Sequence, residues 1–238
     1  AKDFWPEKIL MSSAEQQVQR PPSASLSMIL VLSSIAMLSG FLVVLVSQLT
    51  APLIAENQRL AIERALVQVI PGSVAHQEFY FKDGGLLPVD EFAAGESIYA
   101  GYDADGKLLG IAARAASQGY AGMIYLLYGY DPACECIRGI QVLKMAETPG
   151  LGDKIIKDAN FRANFDALDA QVDMNKMALV NPIVTVKHGT KQHPWEIDAI
   201  SGATISAKAV GKALNQSAQS LLPKLLPIMQ QLREEAPK

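Results

Sequence analysis

Hydroxyl groups and small side chains are concentrated in one stretch near the end of the 238-residue chain. Its residues are, in order, Asp198, Ala199, Ile200, Ser201, Gly202, Ala203, Thr204, Ile205 and Ser206. A short strand is predicted to run into a turn at Ser201 and Gly202, and a helix to begin near Thr204. The first-turn amides of a helix have no partner within the helix, and together with the helix dipole they attract an anion, typically a phosphate. The pattern therefore indicates an anion site at a helix start, with Lys208 as a positive charge nearby.

An ordinary capped helix explains the same residues. Serine is a favoured N-cap residue, and spacing alone favours this interpretation over a ligand site. In either case Gly202 and Ala203 keep the approach free of bulky side chains, while Ser201, Thr204 and Ser206 supply hydroxyls. The choice between the two interpretations therefore depends on other parts of the sequence.

A second block of interest follows a predicted strand in the middle of the chain. It consists of Glu147, Thr148, Pro149, Gly150, Leu151, Gly152, Asp153 and Lys154. Pro149 fixes one backbone angle, and Gly150 and Gly152 permit conformations that other residues resist. The block therefore predicts a tight loop that presents backbone groups to a flat surface, although taken alone it indicates only a turn.

The cysteines and histidines offer weaker candidates. Cys134 and Cys136 are the only cysteines, and two thiolates cannot by themselves complete a tetrahedral metal site. A redox pair, ligands shared with another subunit and two unremarkable thiols all remain open. His76, His188 and His193 are scattered and lack the spacing of a metal motif. We therefore predict neither a catalytic side chain nor a metal site.

The elements that position these residues begin with a long uncharged segment. All 45 charged residues, 21 basic and 24 acidic, lie outside residues 21–55, and the net charge is −3. As a helix, residues 26–49 extend about 36 Å, enough to cross a hydrocarbon core of about 30 Å. A buried core helix and a cleavable signal peptide are the alternatives. The composition argues against a plain soluble enzyme, a disordered chain and a basic nucleic-acid binder.

The orientation of this span follows from the basic residues beside it. Lys2, Lys8 and Arg20 precede the span, and Arg59 and Arg64 follow it. Because the side with more Lys and Arg stays inside, the sequence predicts a cytoplasmic N-terminus and a main domain in the periplasm, with the helix in a bacterial inner membrane. The small residues of the span predict neighbouring membrane subunits.

The remainder predicts a stalk and one α+β domain. Residues 50–89 are predicted to form a stalk helix and a linker, and the run–turn–run pattern at 97–115 predicts a β-hairpin. Helices are predicted around 158–173 and at 204–222, after which Pro223 and Pro227 break or kink the chain. Further strand-like runs lie at 122–130, 137–145 and 182–188.

These elements divide the chain into five segments. They are an N-terminal cytoplasmic tail (1–25), a transmembrane helix (26–49), the stalk helix and linker (50–89), the folded domain (90–222) and a C-terminal tail (223–238). The mixture of strands and helices in the domain predicts a small antiparallel or mixed sheet with packed helices.

The hydroxyl-rich stretch resembles the attachment motif of a known FMN-binding domain. That domain is found in the G subunit of the Rnf electron-transport complex and in the C subunit of the sodium-pumping NADH:quinone oxidoreductase. The resemblance rests on Asp198, residues 201–204 and Ser206. In those families a flavin transferase uses FAD to esterify FMN, through its phosphate, to the last hydroxyl residue of the motif core. The resemblance implies that this acceptor is Thr204.

The middle block supports the same resemblance. Residues 147–152 resemble the E-T-P-G-L-G loop of both families, and the continuation Gly-Asp-Lys-Ile is closer to the Rnf protein. The resemblance covers roughly residues 26–222. It implies cofactor-binding roles for Asp198, Glu147, Thr148, Gly150, Leu151, Gly152, Ser201, Gly202, Ala203 and Ser206.

The function implied by the resemblance is that of a membrane-anchored electron carrier. FMN held through a phosphoester on Thr204 would supply the redox chemistry, so the chain is a redox subunit rather than an independent enzyme. The implied partners are the other membrane subunits of the Rnf complex, membrane lipid and, during maturation, the flavin transferase. By family analogy the complex couples electron flow between ferredoxin and NAD to sodium or proton movement. The C subunit of the quinone pump and a membrane-anchored sensor or interaction module without electron transfer remain alternatives.

Overall fold

The chain forms two compact units, Ala1–Ile54 and Ala55–Lys238. The computed structural model describes residues 26–82, 85–88, 96–229 and 232. The predicted N-terminal tail, the first residues of the predicted domain (90–95) and most of the C-terminal tail after 229 lie outside the described residues.

The first unit is described from Leu26 onward and consists of the N-terminal part of helix α1, which spans Leu26–Val69. Among the described residues, this is the one helix whose length and composition suit a membrane span. Two hydroxyls within it donate to backbone oxygens of the same helix, Ser34 to Val31 at 3.0 Å and Thr50 to Val46 at 2.9 Å. Such bonds satisfy hydroxyl groups that would otherwise be unpaired on a helix exposed to lipid. The predicted N-terminal apolar helix is therefore confirmed.

The second unit is built on a seven-stranded antiparallel sheet with strand order β2-β1-β3-β4-β5-β6-β7. The strands are β1 (Ala75–Lys82), β2 (Gly85–Pro88), β3 (Glu96–Tyr102), β4 (Leu108–Gln118), β5 (Met123–Asp131), β6 (Cys136–Lys144) and β7 (Leu168–Asp169). The predicted hairpin is β3–β4, whose turn is fixed by Asp103: its Oδ1 accepts from the N–H groups of Asp105 at 2.9 Å and Lys107 at 2.8 Å. The predicted α+β fold is confirmed.

Strand β1 lies in the segment that the sequence placed in the linker. It pairs with β3 along seven residues, and its Phe79 and Phe81 are buried in the core. Its sequence, AHQEFYFK, alternates weakly between polar and apolar residues, which is why the period-two signal of a strand was missed.

The other elements are short, with one exception. They are α2 (Lys154–Lys157), α3 (Ala159–Ala163), α4 (Thr204–Leu225), a 3-10 turn (Leu226–Ile228), an antiparallel pair β8 (Val172–Asp173) and β9 (Ala178–Leu179), and a parallel pair β10 (Val184–Val186) and β11 (Glu196–Asp198). Of the helix predicted around 158–173, only α3 is present, because the chain then turns back and β7 pairs with β6. Helix α4 passes through Pro223 and ends two residues later at Leu225, and Pro227 lies in the 3-10 turn that follows, so the α-helix ends between the two prolines.

The sheet is covered on both faces. On one face α4 buries residues at helical spacing, as the sequence predicted, and each is at most 1% exposed: Ala207, Val210, Leu214, Ala218 and Leu221. On the other face lies the stalk segment, defined here as residues 55–69 of α1. It packs Ala65, Leu66 and Val69 against Tyr99, Ala112 and Leu127.

The two ends of the sheet are distinct, and the chain enters the second unit at one of them. We call the end that carries the β4–β5 turn, residues 119–122, the site end. Gln58, near the start of the stalk segment, lines a groove at this end together with Tyr125 and Lys144. The last residue of the stalk segment, Val69, lies nearer the opposite end, against Gly129. The stalk segment therefore runs away from the site end.

Candidate functional site

The predicted helix start is present, but serine does not cap it. β11 leads into a turn in which Gly202 has φ +82°, a left-handed conformation that suits glycine. α4 begins at Thr204, and its N-cap is Ala203, which makes no side-chain cap hydrogen bond. Alanine has no side-chain oxygen to accept from the first-turn amides, so the serine-capped interpretation is wrong. Those amides are available to a ligand or to water.

The three hydroxyls near this turn differ in accessibility. Thr204 is exposed, and within the described part of the chain its Oγ1 makes only a long hydrogen bond of 3.4 Å, to the Ile200 carbonyl. Ser201 is exposed as well. Ser206 is 2% exposed, and its hydroxyl donates to Glu147 Oε2 at 2.5 Å. Thr204 and Ser201 therefore present hydroxyls to the surface, whereas Ser206 offers a ligand only its backbone N–H.

Glu147 connects three elements at the site end. Its carboxylate is 7% exposed, and besides Ser206 it accepts from the Ala121 N–H at 3.1 Å. Gly119 and Gly152 allow this packing, since a Cβ on either residue would collide with the Glu147 side chain. One buried carboxylate thus holds the loop after β6, the β4–β5 turn and the first turn of α4 together.

The loop predicted from residues 147–152 is tight. The N–H groups of Leu151 and Gly152 both donate to the Thr148 carbonyl, at 3.2 and 3.0 Å. Gly150 adopts φ +81° and has open space around it. Leu151 is 51% exposed, which is high for a leucine. The loop therefore presents both backbone groups and an apolar side chain outward.

Two further apolar side chains are exposed beside the same cluster. Ile205 is 53% exposed and precedes Ser206, and Tyr120 is 70% exposed and precedes Ala121. With Leu151, they are sequence neighbours of residues that pack on Glu147. Exposed apolar groups beside uncapped amides suit a ligand that is both anionic and aromatic, as FMN is.

The charged groups of the site include the ammonium of Lys154, for which the sequence pattern predicted no role. A Cβ on Gly202 would lie 3.9 Å from Lys154 Nζ, so this ammonium faces the turn before α4. The neighbouring Asp153 accepts from Lys157 Nζ at 2.6 Å, and this bond holds the pKa of Asp153 below its usual value. Lys154 is the last residue of the second block, and its place there is the sequence feature that could have indicated this role.

Asp198 lies in β11, before the turn, and its contacts go elsewhere. Its carboxylate accepts from the Gly189 N–H at 2.7 Å and lies 3.3 Å from His188 Nδ1. Its backbone N–H and carbonyl bond to the side-chain amide of Asn164, at 3.0 and 3.3 Å. Asn164 is 6% exposed, and no sequence pattern predicted its role. Asp198 therefore fixes the strand that leads into the turn.

The two cysteines lie away from these residues. Cys134 and Cys136 form a disulfide in the turn between β5 and β6, at the end of the sheet opposite the site. Glu135 between them has φ +53°. The disulfide removes the alternative of two free thiols and that of metal ligands shared with another subunit.

A family model described as the FMN-binding domain matches residues 119–219. The matched range begins at the β4–β5 turn and ends within α4. It contains Glu147, Lys154 and Thr204, and with them both motifs of the site.

Individual proteins are also similar to this chain. The G subunit of the ion-translocating oxidoreductase complex of Haemophilus influenzae is 31% identical over 172 residues, which cover 71% of this chain and 73% of the relative. The G subunit of the Na(+)-translocating ferredoxin:NAD(+) oxidoreductase complex of Acetobacterium woodii is 34% identical over 123 residues, covering 51% and 53%. Among solved structures, the C subunit of the Na(+)-translocating NADH-quinone reductase from Parabacteroides distasonis aligns with a TM-score of 0.56 at 20% identity, covering 71% of this chain and 94% of that one. At this identity the structural likeness shows a shared fold.

Proposed function

This chain belongs to the family of G subunits of ion-translocating oxidoreductase complexes, and from that membership we propose that it is a membrane-anchored electron carrier with FMN joined to Thr204. The flavin, when bound, accepts electrons from one redox centre and passes them to another. The observation that supports Thr204 as the attachment site is its exposed hydroxyl. Thr204 is the first residue of a 22-residue helix whose start has no side-chain cap.

The attachment is a phosphoryl transfer to the threonine. Thr204 Oγ1 bonds to the phosphorus of the FMN half of FAD, the bond from that phosphorus to the AMP half breaks, and AMP leaves with the bonding electrons. The hydroxyl proton is lost in the same process. The transferase is needed only for this maturation step. The product at Thr204 is a phosphodiester, an anion placed at the start of α4, where the helix dipole and free amides stabilise it.

The neighbouring residues hold the flavin in place. Ser201, Gly202 and Ala203 bring the backbone close to the phosphate, and Ser206 contributes its backbone N–H. Buried Glu147 fixes the positions of Ser206 and Ala121, since its carboxylate accepts a hydrogen bond from each of them.

The ring of the flavin meets the outward face of the loop. Thr148, Gly150 and Leu151 are exposed there, and Gly152 anchors the loop against Ser206. Asp198 acts indirectly, by fixing strand β11, which precedes the turn.

The proposed assembly is an Rnf-type complex that couples ferredoxin:NAD oxidoreduction to sodium or proton movement. The name of the Acetobacterium woodii relative describes such a complex. Residues 26–54 contain no charged side chain, so the span of this chain provides no ion pathway of its own. Ion movement is therefore assigned to the other membrane subunits, which the span contacts together with lipid.

The proposed location is a bacterial inner membrane, with the N-terminus in the cytoplasm and the second unit in the periplasm. The Cys134–Cys136 disulfide supports this orientation, because disulfides persist in oxidising compartments. Protease added to intact spheroplasts is expected to digest the second unit and leave a membrane-protected N-terminal fragment. Digestion that begins only after the membrane is opened would reverse the orientation.

The covalent flavin is tested on the wild-type chain. Produced in cells that contain the transferase, the chain is expected to give a fluorescent band on a denaturing gel under ultraviolet light. Its intact mass is expected to exceed that of the polypeptide by one FMN less one water. A dark band of unmodified mass from such cells would refute the proposal. Copurification with the other Rnf subunits is the accompanying test of the assembly.

A further inference from the structure

One ammonium group faces the turn that leads into α4. Lys154 Nζ lies 3.9 Å from the position that a Cβ on Gly202 would occupy. Lys154 forms no salt bridge with an acidic side chain among the described residues. Gly202 in turn is two residues before Thr204. An unpaired positive charge thus lies beside the proposed point of attachment.

The position of Lys154 is set by close packing. Gly152 lies against Ser206, with Ser206 Oγ only 3.0 Å from where a Gly152 Cβ would be. Two residues later Lys154 lies against Gly202. Residues 152–154 therefore run antiparallel to residues 202–206. This pairing places the lysine beside the turn without requiring any ligand to draw it there.

The other cations of the neighbourhood are arranged differently. Lys157 is bonded to Asp153 at 2.6 Å, and its side chain is 74% exposed. Lys191 donates to Asn164 Oδ1 at 3.1 Å. Lys208 is exposed on α4, one helical turn after Thr204. Lys154, by contrast, faces the turn from across it, beside Gly202.

We propose that Lys154 is the cation that pairs with the phosphate of the flavin at Thr204. This inference rests on the proposed function. A phosphodiester carries one negative charge, and a lysine ammonium is a compact charge that forms strong hydrogen bonds with phosphate oxygens. The two motifs then have complementary tasks: the stretch before α4 supplies the covalent bond, and the loop after β6 supplies the counter-ion.

The first experiment measures how fast the Lys154 amine reacts with an acylating reagent. Full-length chain in detergent is treated briefly, and acylation at each lysine is quantified by peptide mass spectrometry. Flavin-loaded wild type is compared with the flavin-free Thr204→Val chain. We expect acylation of Lys154 to be about tenfold slower in the loaded chain, because an amine bonded to phosphate is a poor nucleophile. Lys157 serves as the internal control and is expected to react equally in both chains.

The second experiment separates pairing from simple shielding by the flavin. Lys154→Gln is expected to lower the rate of flavin loading by transferase and FAD about tenfold, the effect of losing one charge-assisted hydrogen bond. Lys154→Arg is expected to restore most of the rate, and Lys157→Gln to leave it unchanged.

Two outcomes overturn the assignment of Lys154. The first is equal acylation of Lys154 in the chains with and without flavin. The second is a loading rate in Lys154→Gln that equals the wild-type rate. In either case a fluorescent wild-type chain leaves the proposed function standing. A dark wild-type chain refutes the proposed function itself, so the two failures are distinguishable.

Discussion

Replacing Thr204 by valine is expected to abolish the covalent flavin while leaving the fold intact. Valine keeps the β-branched shape of threonine, so the start of α4 retains its conformation. The only hydrogen bond lost is the long one of 3.4 Å from Thr204 Oγ1 to the Ile200 carbonyl. The hydroxyl that we propose accepts the phosphoryl group is lost entirely. In-gel fluorescence is expected to fall to background, and the intact mass to that of the bare polypeptide.

Matched variants show whether the loss is specific to this hydroxyl. Thr204→Ser keeps a hydroxyl and is expected to retain flavin. Ser201→Ala is expected to load normally because Ser201 is not the proposed acceptor. Ser206→Ala leaves the buried Glu147 carboxylate without its 2.5 Å partner, so it is expected to lower the unfolding free energy by about 1–3 kcal/mol. Fluorescence that survives in Thr204→Val would contradict the assignment and point to Ser201 or Ser206.

The sequence predicted the local turns of the site better than the contacts that join them. The turn at 201–204 and the loop at 147–152 could be read because they are local patterns of glycine, proline and hydroxyl residues. The burial of Glu147 could not be predicted, since it depends on Gly119, in the β4–β5 turn, as well as on Gly152 of its own loop. Ser206 illustrates the same limit: its hydroxyl is committed to Glu147, a residue 59 positions away.

The fold shows a similar division. The hairpin β3–β4 and the buried stripe of α4 follow from periodicity within a single element. Strand β1 was missed because its position is decided by pairing with β3, not by its own pattern. The packing of the stalk segment on the second face of the sheet is likewise decided by tertiary contacts and not by local sequence. A helix that continues out of a membrane span gives no indication in its own sequence of the surface on which it packs.

That packing leads to a large effect at Gly129, near the C-terminal end of β5. A Cβ at this position would overlap the carbonyl oxygen of Val69 and lie 2.6 Å from its carbonyl carbon. Both are backbone atoms of the last residue of α1, so no side-chain rotation relieves the collision. Gly129→Ala therefore forces the stalk segment away from the sheet and exposes Leu66 and Leu127, which are at most 2% exposed. The expected loss of unfolding free energy is about 3 kcal/mol or more.

Gly139 provides the matched control, because it pairs directly with Gly129 across β5 and β6. A Cβ there would lie 3.2 Å from the Gln68 carbonyl oxygen, a contact that a small shift relieves. Both substitutions restrict the unfolded chain equally. Urea unfolding of the full chain in detergent is therefore expected to shift its midpoint far more for Gly129→Ala than for Gly139→Ala, whose cost is about 1 kcal/mol or less. Equal shifts would mean that the end of the stalk segment does not rest on β5, and that the sheet tolerates a side chain where the backbone of α1 now lies.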